Sequence, residues 1–287
     1  MSEVSAALVR ELREKTGAGM MDCKRALADT GGDLEKAIVS LREKGLAAAA
    51  KRATRVASEG VVVTAAAADN AAGAMVEVNC ETDFVGRTPE FQGLAQQVAA
   101  RVLAQGPEAD LGELITAAIA KTGENIVVRR AVRFAPAASA GASGIIGSYI
   151  HAGGKIGVLI EVTGQGAITT APDGPMLIRD LAMQVAAANP RYVRREQVTA
   201  EVLDSERAIY RAQAAGSGKP EPVIDKMVAG KLEKFFKDVC LLEQPFIKDP
   251  DRAVSAWLAE VVKRVGGSLT VQRFARFQLG EQAEQAA

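Results

Sequence analysis

Residues 73–79, GAMVEVN, recur in the second half of this 287-residue chain as residues 157–163, GVLIEVT. Two further blocks recur in the same order: LAQQVAA at 94–100 returns as LAMQVAA at 181–187, and VRRAVRF at 128–134 returns as VQRFARF at 271–277. Three similar blocks in one order indicate an internal duplication. The chain is therefore predicted to contain two copies of one structural unit.

The two copies differ in the spacing of their blocks. The first two blocks start at positions 73 and 94 in copy one and at positions 157 and 181 in copy two, so their separations are similar. The third block starts at position 128 in copy one, soon after the second block, but only at position 271 in copy two. Copy two therefore carries a long insertion between its second and third blocks.

The insertion is predicted to form an antiparallel helical hairpin at about residues 197–243. Its apolar side chains recur every three or four positions, at Ile224, Val228, Leu232, Phe235 and Val239. That spacing places them in one seam along a helix. Two interpretations stay open: the seam, with Phe235 and Phe236, serves self-association, or it packs onto its own partner helix.

Copy one contains the signals of strands and helices in a definite order. Runs of β-branched and alternating apolar residues predict strands at 61–64, 74–80 and 126–134. Between the last two strands, Thr88 followed by Pro89 marks a helix start, because proline fits the first helical position. Each copy is therefore predicted to have the order β-β-α-β.

Residues 1–55 are predicted to form three short helices. Apolar residues recur there at helical spacing, and breaks at 16–19 (TGAG) and 31–33 (GGD) separate the helices. Asp33 is suited to cap the third helix. A separate basic helix at 46–56 is predicted to connect this bundle to the first copy.

The predicted fold class is α+β: an N-terminal three-helix bundle, then a duplicated β-β-α-β core with an inserted helical hairpin. Residues 1–55 are assigned to the bundle and connector, residues 56–140 to the first core copy, and residues 141–287 to the second copy with its insertion. Residues 136–144 (PAASAGASG) are predicted to be a flexible linker between the copies.

The composition is that of an ordinary globular protein. The chain has 35 Lys plus Arg, 35 Asp plus Glu and 48% hydrophobic residues, which excludes collagen-like, disordered and disulfide-rich classes. Its net charge of zero argues against a strongly basic nucleic-acid-binding surface. The N-terminal sequence lacks a signal-peptide pattern, and the most apolar stretch, 61–68, is shorter than a membrane helix. We expect a cytoplasmic protein that binds neither nucleic acid directly nor a membrane.

Residue types that carry chemistry are sparse in this chain. Cys23, Cys80 and Cys240 lie far apart in the sequence and are expected to be buried hydrophobic side chains. The Gly-Gly-Lys at 153–155 lacks the spacing of a phosphate-binding loop. His151 is the only histidine, and no nucleophile signature accompanies it. No catalytic, cofactor-binding or metal-binding residues are therefore predicted.

The two copies diverge directly after their first matching strands. Copy one continues as residues 80–87, CETDFVGR, whereas copy two continues as residues 164–169, GQGAIT. The loop of copy one places an aromatic residue beside a carboxylate and a cation, and such loops are where function differs from scaffold. Alternatively, Phe84 and Val85 simply cover the core.

Five motifs together resemble the family of bacterial translation elongation factor Ts. They are TGAGMMDCKRAL at 16–27, EVNCETDFV at 77–85, ENI at 124–126 with Arg129 and Arg130, SYIH at 148–151, and QPF at 244–246. The resemblance extends in order over almost the whole chain, and the first two motifs are highly specific.

The resemblance implies a guanine-nucleotide exchange factor that acts on the GTPase elongation factor Tu. Such a factor binds the GDP-bound GTPase and promotes GDP release by distorting its Mg²⁺ and phosphate site, without covalent catalysis. In this sequence Thr82, Asp83, Phe84 and Val85 match the segment that disturbs the partner's Mg²⁺.

The resemblance also implies roles for other parts of the chain. Residues 1–55 match a ubiquitin-associated-like three-helix domain in which Met20 and Met21 contact the GTPase, and His151 falls in a second contact region. The helical hairpin matches a dimerisation or coiled-coil element, and the former would allow a 2:2 complex. The resemblance implies no cofactor.

Two positions depart from the family pattern, and two other functions stay open. Gly86 stands where alanine is frequent, which predicts a looser loop, and Gln184 replaces a frequent histidine, which leaves open whether a polar contact forms there.

A non-exchanging adaptor of the same GTPase and a ribosome-associated binding protein are the alternatives. The arginines within 191–195, beside Tyr192, are the nearest approach to an RNA-binding surface.

Overall fold

The computed structural model describes residues 4–135, 143–166, 173–216 and 218–281. Its helices are α1 (Ala6–Thr16), α2 (Met20–Asp29), α3 (Leu34–Arg52), α4 (Asp83–Gly86), α5 (Pro89–Gln105), α6 (Gly112–Thr122), α7 (Asp173–Ala188), α8 (Ala200–Ala215), α9 (Glu221–Val239) and α10 (Val254–Val265). Its strands are β1 (Glu59–Ala66), β2 (Gly73–Cys80), β3 (Val127–Phe134), β4 (Ser143–His151), β5 (Ile156–Gln165), β6 (Pro245–Phe246), β7 (Asp249–Ala253) and β8 (Ser268–Gln278). The mixed helix and strand content confirms the α+β class.

The first three helices form a bundle around a small core. Leu12, Cys23, Ala26 and Leu27 are buried there together with Ala37. The helix ends follow local chemistry: the Ser5 hydroxyl accepts a hydrogen bond from the Leu8 amide at 3.2 Å to start α1, and the Asp33 carboxylate accepts one from the Lys36 amide at 3.0 Å to start α3.

The prediction of a separate connector helix at 46–56 is wrong. The third helix continues without a break from Leu34 to Arg52, a length of 19 residues. Gly45 does not interrupt it, because it lies against α6: a Cβ atom there would be 3.6 Å from Thr116 Cγ2 and 3.7 Å from Ala120 Cβ. Alanines 47–50 then carry the helix on, since alanine has the highest helix propensity.

Each copy of the duplication forms a three-stranded antiparallel sheet with its first matching block in the central strand. The strand order is β1-β2-β3 in one sheet and β4-β5-β8 in the other. The pairing register shifts between Glu77 and Val78 in the first sheet, and between Glu161 and Val162 at the equivalent position of the second. The two copies therefore match down to a local irregularity. The linker predicted at 136–144 lies outside the described residues up to 142, and residues 143 and 144 already belong to β4.

One long helix covers each sheet. In the first copy Thr88 caps α5 and Pro89 occupies its first turn, as predicted. Its buried side chains Phe91, Leu94 and Val98 pack on the first sheet. In the second copy α7 plays the same part, with Leu177, Ile178, Leu181 and Val185 in the core.

The two sheets pack against each other through equivalent residues. The cluster between them consists of the matched pairs Val62 and Ile146, Met75 and Leu159, and Phe134 and Phe277. The Arg130 guanidinium lies 4.3 Å from the centre of the Phe277 ring, and the Arg273 guanidinium lies 4.3 Å from the centre of the Phe134 ring. This reciprocity gives the core an approximate two-fold symmetry.

The insertion forms the predicted hairpin from α8 and α9, and its apolar seam packs within the chain. Ile224 and Val228 are buried against Ala214 of α8, whereas Phe235 is buried against Val198 and Cys240. Of the two interpretations of the seam, packing onto its own partner helix is therefore the observed one.

The arginines considered for RNA binding make contacts within the chain. The Arg195 guanidinium lies 4.5 Å from the centre of the Phe236 ring, and its Nε donates a hydrogen bond to Glu243 at 2.7 Å. Arg194 donates to the backbone carbonyl of Val271 at 3.4 Å. Both side chains thus help to hold the base of the hairpin on the second copy.

Gln184 forms polar contacts in the interior of the second copy. Its amide nitrogen donates to Gln244 Oε1 and to the Pro245 carbonyl, both at 3.2 Å, and its amide oxygen accepts from the Ile247 amide at 2.8 Å. The side chain is fully buried, and these hydrogen bonds satisfy its polar atoms.

Among the described helices, none combines the length and the apolar character that crossing a membrane requires.

The close approach of the two sheets yields a stability prediction at Gly157. A Cβ atom there would be 2.4 Å from Val62 Cγ1 and 3.0 Å from Met75 Sδ. We expect Gly157→Ala to lower the free energy of unfolding by about 1–3 kcal/mol, because it overpacks the core. Gly93→Ala is the control, since nothing lies within 4 Å of its Cβ position in α5. Equal urea midpoints for the Gly157 variant and the wild type would contradict the packing described here.

Candidate functional site

The loop after β2 forms a short, closed turn of helix. Thr82 caps α4: its hydroxyl oxygen accepts a hydrogen bond from the Val85 amide at 3.4 Å. At the other end, the Arg87 amide donates to the Asp83 carbonyl at 3.1 Å, and the Thr88 hydroxyl donates to the Val85 carbonyl at 2.8 Å. The segment at which the two copies diverge is therefore an ordered structure.

Phe84 and Val85 point into different environments. Val85 is partly buried and packs against the core of the first copy. Phe84 is 81% exposed, the highest exposure shown by any phenylalanine among the described residues. Of the two interpretations of this pair, covering the core therefore applies to Val85 and not to Phe84. A large, exposed aromatic ring on a fixed turn is suited to contact a partner.

The charged residues of the loop pair with each other. Asp83 Oδ2 lies 2.8 Å from an Arg87 guanidinium nitrogen, one helical turn away. Both side chains are exposed, so this pair contributes at most about 1 kcal/mol. Gly86 is the last residue of α4 and is buried, and a Cβ atom there would be 3.4 Å from Cys80 Sγ and from Gly60 Cα. The backbone of Gly86 is helical and closely packed, and the looser loop expected from this glycine stays a prediction.

A carboxylate distant in the sequence holds the loop. Glu124 Oε2 accepts hydrogen bonds from the Glu81 amide at 3.0 Å and the Thr82 amide at 3.1 Å, and Oε1 accepts one from the Thr82 hydroxyl at 2.6 Å. In the sequence Glu124 is only one letter of a motif, with no predicted role. Its partners lie far earlier in the chain, so no local pattern could reveal the contact.

Cys80 lies beneath the loop and is buried, as are Cys23 and Cys240. Its Sγ donates to the Thr82 carbonyl at 3.1 Å. Burial, and next the negative charge of Glu124, raise the pKa of the Cys80 thiol to about 12. The thiol is therefore neutral at physiological pH.

His151 lies at the tip of the hairpin between β4 and β5. Its Nδ1 is 3.1 Å from the Tyr149 hydroxyl, and its side chain is exposed. The tip packs on β1: the Val62 amide donates to the Gly154 carbonyl at 2.8 Å, and Lys155 Nζ lies 3.2 Å from a carboxylate oxygen of Glu59.

The hairpin tip and the last residue of β2, which leads into the loop, both lie beside Glu59. Glu59, which contacts Lys155, pairs in register with Cys80, the last residue of β2. The hairpin that carries His151 and the strand end that leads into the Phe84 loop therefore both contact Glu59.

Met20 and Met21 lie on the N-terminal bundle. They are the first two residues of α2, and their side chains are 59% and 64% exposed. The bundle contacts the first copy through α3 and α6, where Arg42 pairs with Glu113. Among the described residues, no group of three or more His, Cys, Asp and Glu side chains could hold a metal ion.

The described residues thus form a helical bundle joined to a duplicated α+β core, on which Met20, Met21 and Phe84 are exposed. Comparison with known proteins gives its family. Residues 81–281 match the family model described as elongation factor TS. The chain therefore belongs to the elongation factor Ts family, as its motifs predicted.

Individual relatives match over nearly their full length. An elongation factor Ts of Clostridium perfringens is 47% identical over 294 residues, with 98% of this chain and 94% of the relative covered. The elongation factor Ts of Symbiobacterium thermophilum is 47% identical over 291 residues, with 99% and 94% covered. That of Trichlorobacter lovleyi is 45% identical over 298 residues, with 98% and 94% covered.

The packing of the loop yields a prediction about thiol reactivity. We expect iodoacetamide at pH 8 to label neither Cys80 nor Cys240 in the native protein, because both thiols are buried and their pKa values are raised to about 12 and about 11. Both should be labelled in urea, which serves as the control, and mass spectrometry locates the label. Labelling of native Cys80 as fast as in urea would show that the loop opens.

Proposed function

We propose that this protein is the guanine-nucleotide exchange factor of elongation factor Tu. It binds the GDP-bound GTPase and promotes GDP release by distorting the Mg²⁺ and phosphate site. Family membership supports the partner and the reaction. The observation that carries the mechanism is the exposed Phe84 ring on an ordered turn.

The exposed ring provides a source of free energy for the distortion. Burying a phenylalanine side chain against a partner contributes about 1.5–3 kcal/mol. If the ring fits only the GTPase conformation in which the Mg²⁺ site is displaced, that free energy shifts the GTPase toward this conformation. Thr82, Asp83 and Val85 shape and orient the turn that inserts the ring.

The Mg²⁺ of the partner is the appropriate target because of its charge. A bound divalent cation bridges phosphate oxygens and is the largest local charge that retains the nucleotide. Displacing it weakens GDP binding without breaking a covalent bond. The exchange reaction therefore requires no catalytic group and no cofactor on this chain.

Binding and release are linked quantitatively. A factor that binds the nucleotide-free GTPase about a thousandfold more tightly than the GDP form must weaken GDP binding by the same factor, or about 4 kcal/mol. Contacts away from the loop contribute to this affinity. In the proposal Met20 and Met21 bind the GTPase from the bundle, and His151 binds it beside the loop.

The proposal also covers cellular location and stoichiometry. Translation elongation takes place in the cytoplasm, and we place the protein there. A 2:2 complex through the hairpin would use the outer faces of α8 and α9, where Ile209 and Val223 are exposed, because the inner seam is already packed.

Phe84→Ala tests the mechanism. We expect the maximum rate of GDP release from elongation factor Tu to fall about 10- to 100-fold, because the free energy of burying the ring is lost. Stopped-flow release of a fluorescent GDP analogue, chased with unlabelled GDP, measures this rate over a range of exchange-factor concentrations. Met176→Ala, which removes another exposed apolar side chain, is the control. Binding without any acceleration by the wild type would instead identify the protein as an adaptor.

The Met20→Ala, Met21→Ala double variant tests the role of the bundle. We expect the concentration that gives half-maximal GDP release to rise about tenfold or more, because two apolar contacts are lost. The maximum rate should stay near that of the wild type, since the loop is intact. A fall in maximum rate at unchanged half-saturation would contradict this assignment and place the methionines in the exchange step.

A further inference from the structure

The turn that carries Phe84 requires support from outside itself. A single helical turn of four residues is unstable in isolation, because helix nucleation costs more than one hydrogen bond returns. An exposed aromatic ring adds a further reason for the segment to collapse onto the core. Some other part of the chain must therefore hold the turn in place.

The Glu124 carboxylate supplies that support with both of its oxygens. It accepts hydrogen bonds from the Glu81 amide, the Thr82 amide and the Thr82 hydroxyl, at 2.6–3.1 Å. Hydrogen bonds to an ionised group are about twice as strong as neutral ones. Thr82 in turn caps α4, so the carboxylate acts on the helix through its cap.

Glu124 is itself held in place by the end of α6. Gly123 adopts a left-handed conformation, with φ of 77°, and its amide donates to the Ile119 carbonyl at 3.0 Å. The Glu124 amide donates to the Thr122 hydroxyl at 3.3 Å. Glu124 therefore directly follows a helix end that these hydrogen bonds fix.

The loop at 81–87 and the segment that follows α6 donate hydrogen bonds to each other in both directions. The contacts extend to the residues that follow α3. The Asn125 amide donates back to Glu81 Oε1 at 2.7 Å, while the Asn125 side chain donates to the Arg55 carbonyl at 2.8 Å. Asn125 is nearly fully buried. The loop, the end of α6 and the segment after α3 thus form one hydrogen-bonded unit.

We propose that Glu124 is a positioning residue for nucleotide exchange, whose carboxylate holds the turn at 81–87 in the conformation that presents Phe84 to the GTPase. The inference rests on the proposed function and adds to it the residue that orders the loop before binding. Ordering in the free protein removes a conformational cost from the step in which Phe84 inserts into the already bound GTPase. Loss of the carboxylate therefore lowers the maximum rate of GDP release more than it weakens binding through the bundle.

The test compares three substitutions in the full-length protein. Glu124→Ala removes all three acceptor contacts. Glu124→Gln is the rescue, because its amide oxygen accepts the two backbone amides and its amide nitrogen donates to the Thr82 hydroxyl. Glu108→Ala, which removes an exposed carboxylate between α5 and α6, is the matched control.

Two readouts are taken on each variant. Hydrogen exchange of the Glu81 and Thr82 amides in the free protein reports the order of the loop, and exchange in α5 reports global stability. Stopped-flow GDP release gives the maximum rate and the half-saturating concentration. For Glu124→Ala we expect faster amide exchange confined to the loop, and a maximum rate about tenfold lower at a half-saturating concentration within about twofold of the wild type. Glu124→Gln restores most of the slow amide exchange of the loop and most of the maximum rate of GDP release.

Each other result overturns the inference. Unchanged amide exchange with a lower release rate would mean that Glu124 contacts the partner directly. A raised half-saturating concentration at an unchanged maximum rate would assign it to affinity. If Glu124→Ala does not fold, Glu124→Asp, which withdraws the carboxylate by one methylene, must show the same two changes in weaker form. A wild type that does not accelerate GDP release would overturn the proposed function itself, whereas amide exchange would still report the contact.

Discussion

The reciprocal packing of the two sheets is the constraint on which the rest of the structure depends. Arg130 bonds Glu77 in its own sheet and stacks on Phe277 of the other, while Arg273 bonds Glu161 and stacks on Phe134. Each guanidinium thus pairs with a carboxylate and covers an aromatic ring, and such a cation–π contact adds about 0.5–1 kcal/mol at an exposed site and about 2 kcal/mol when desolvated. Glycines 73 and 157 permit this approach, since a Cβ on either would lie within 2.6 Å of a side chain of the other copy.

This scaffold determines where the variable parts can lie. The central strand of the first sheet ends at Cys80, and the hairpin tip of the second sheet packs on β1 beside it. Because the two sheets pack against each other, the loop with Phe84 and the hairpin with His151 keep fixed relative positions. Duplication therefore explains the framework, and the sequence divergence after β2 explains why the loop of copy one carries an exposed aromatic residue.

The sequence predicted what depends on local spacing and failed where distant contacts decide. Repeated blocks identified the paired sheets, and Thr88 with Pro89 identified the start of α5. The helix boundary predicted after Gly45 is absent, because contact with α6 keeps the helix continuous. The contacts of Glu124 with the loop were missed because its partners belong to a distant segment of the chain. The hairpin seam remained ambiguous in the sequence, since helical periodicity identifies an apolar face but not the surface that covers it.

The loop must satisfy two opposing requirements. In the proposed mechanism Phe84 has to stay exposed to water until it meets the GTPase, so burial of its ring adds nothing to the stability of the free chain. Its neighbours therefore carry the stabilisation: Val85 packs on the core, Cys80 lies buried as a neutral thiol, and Thr82 bonds the Glu124 carboxylate. A flexible loop would expose the same ring but would lose conformational entropy on binding, and that loss would reduce the free energy left for distorting the partner. Rigid presentation of an exposed ring thus reconciles both requirements.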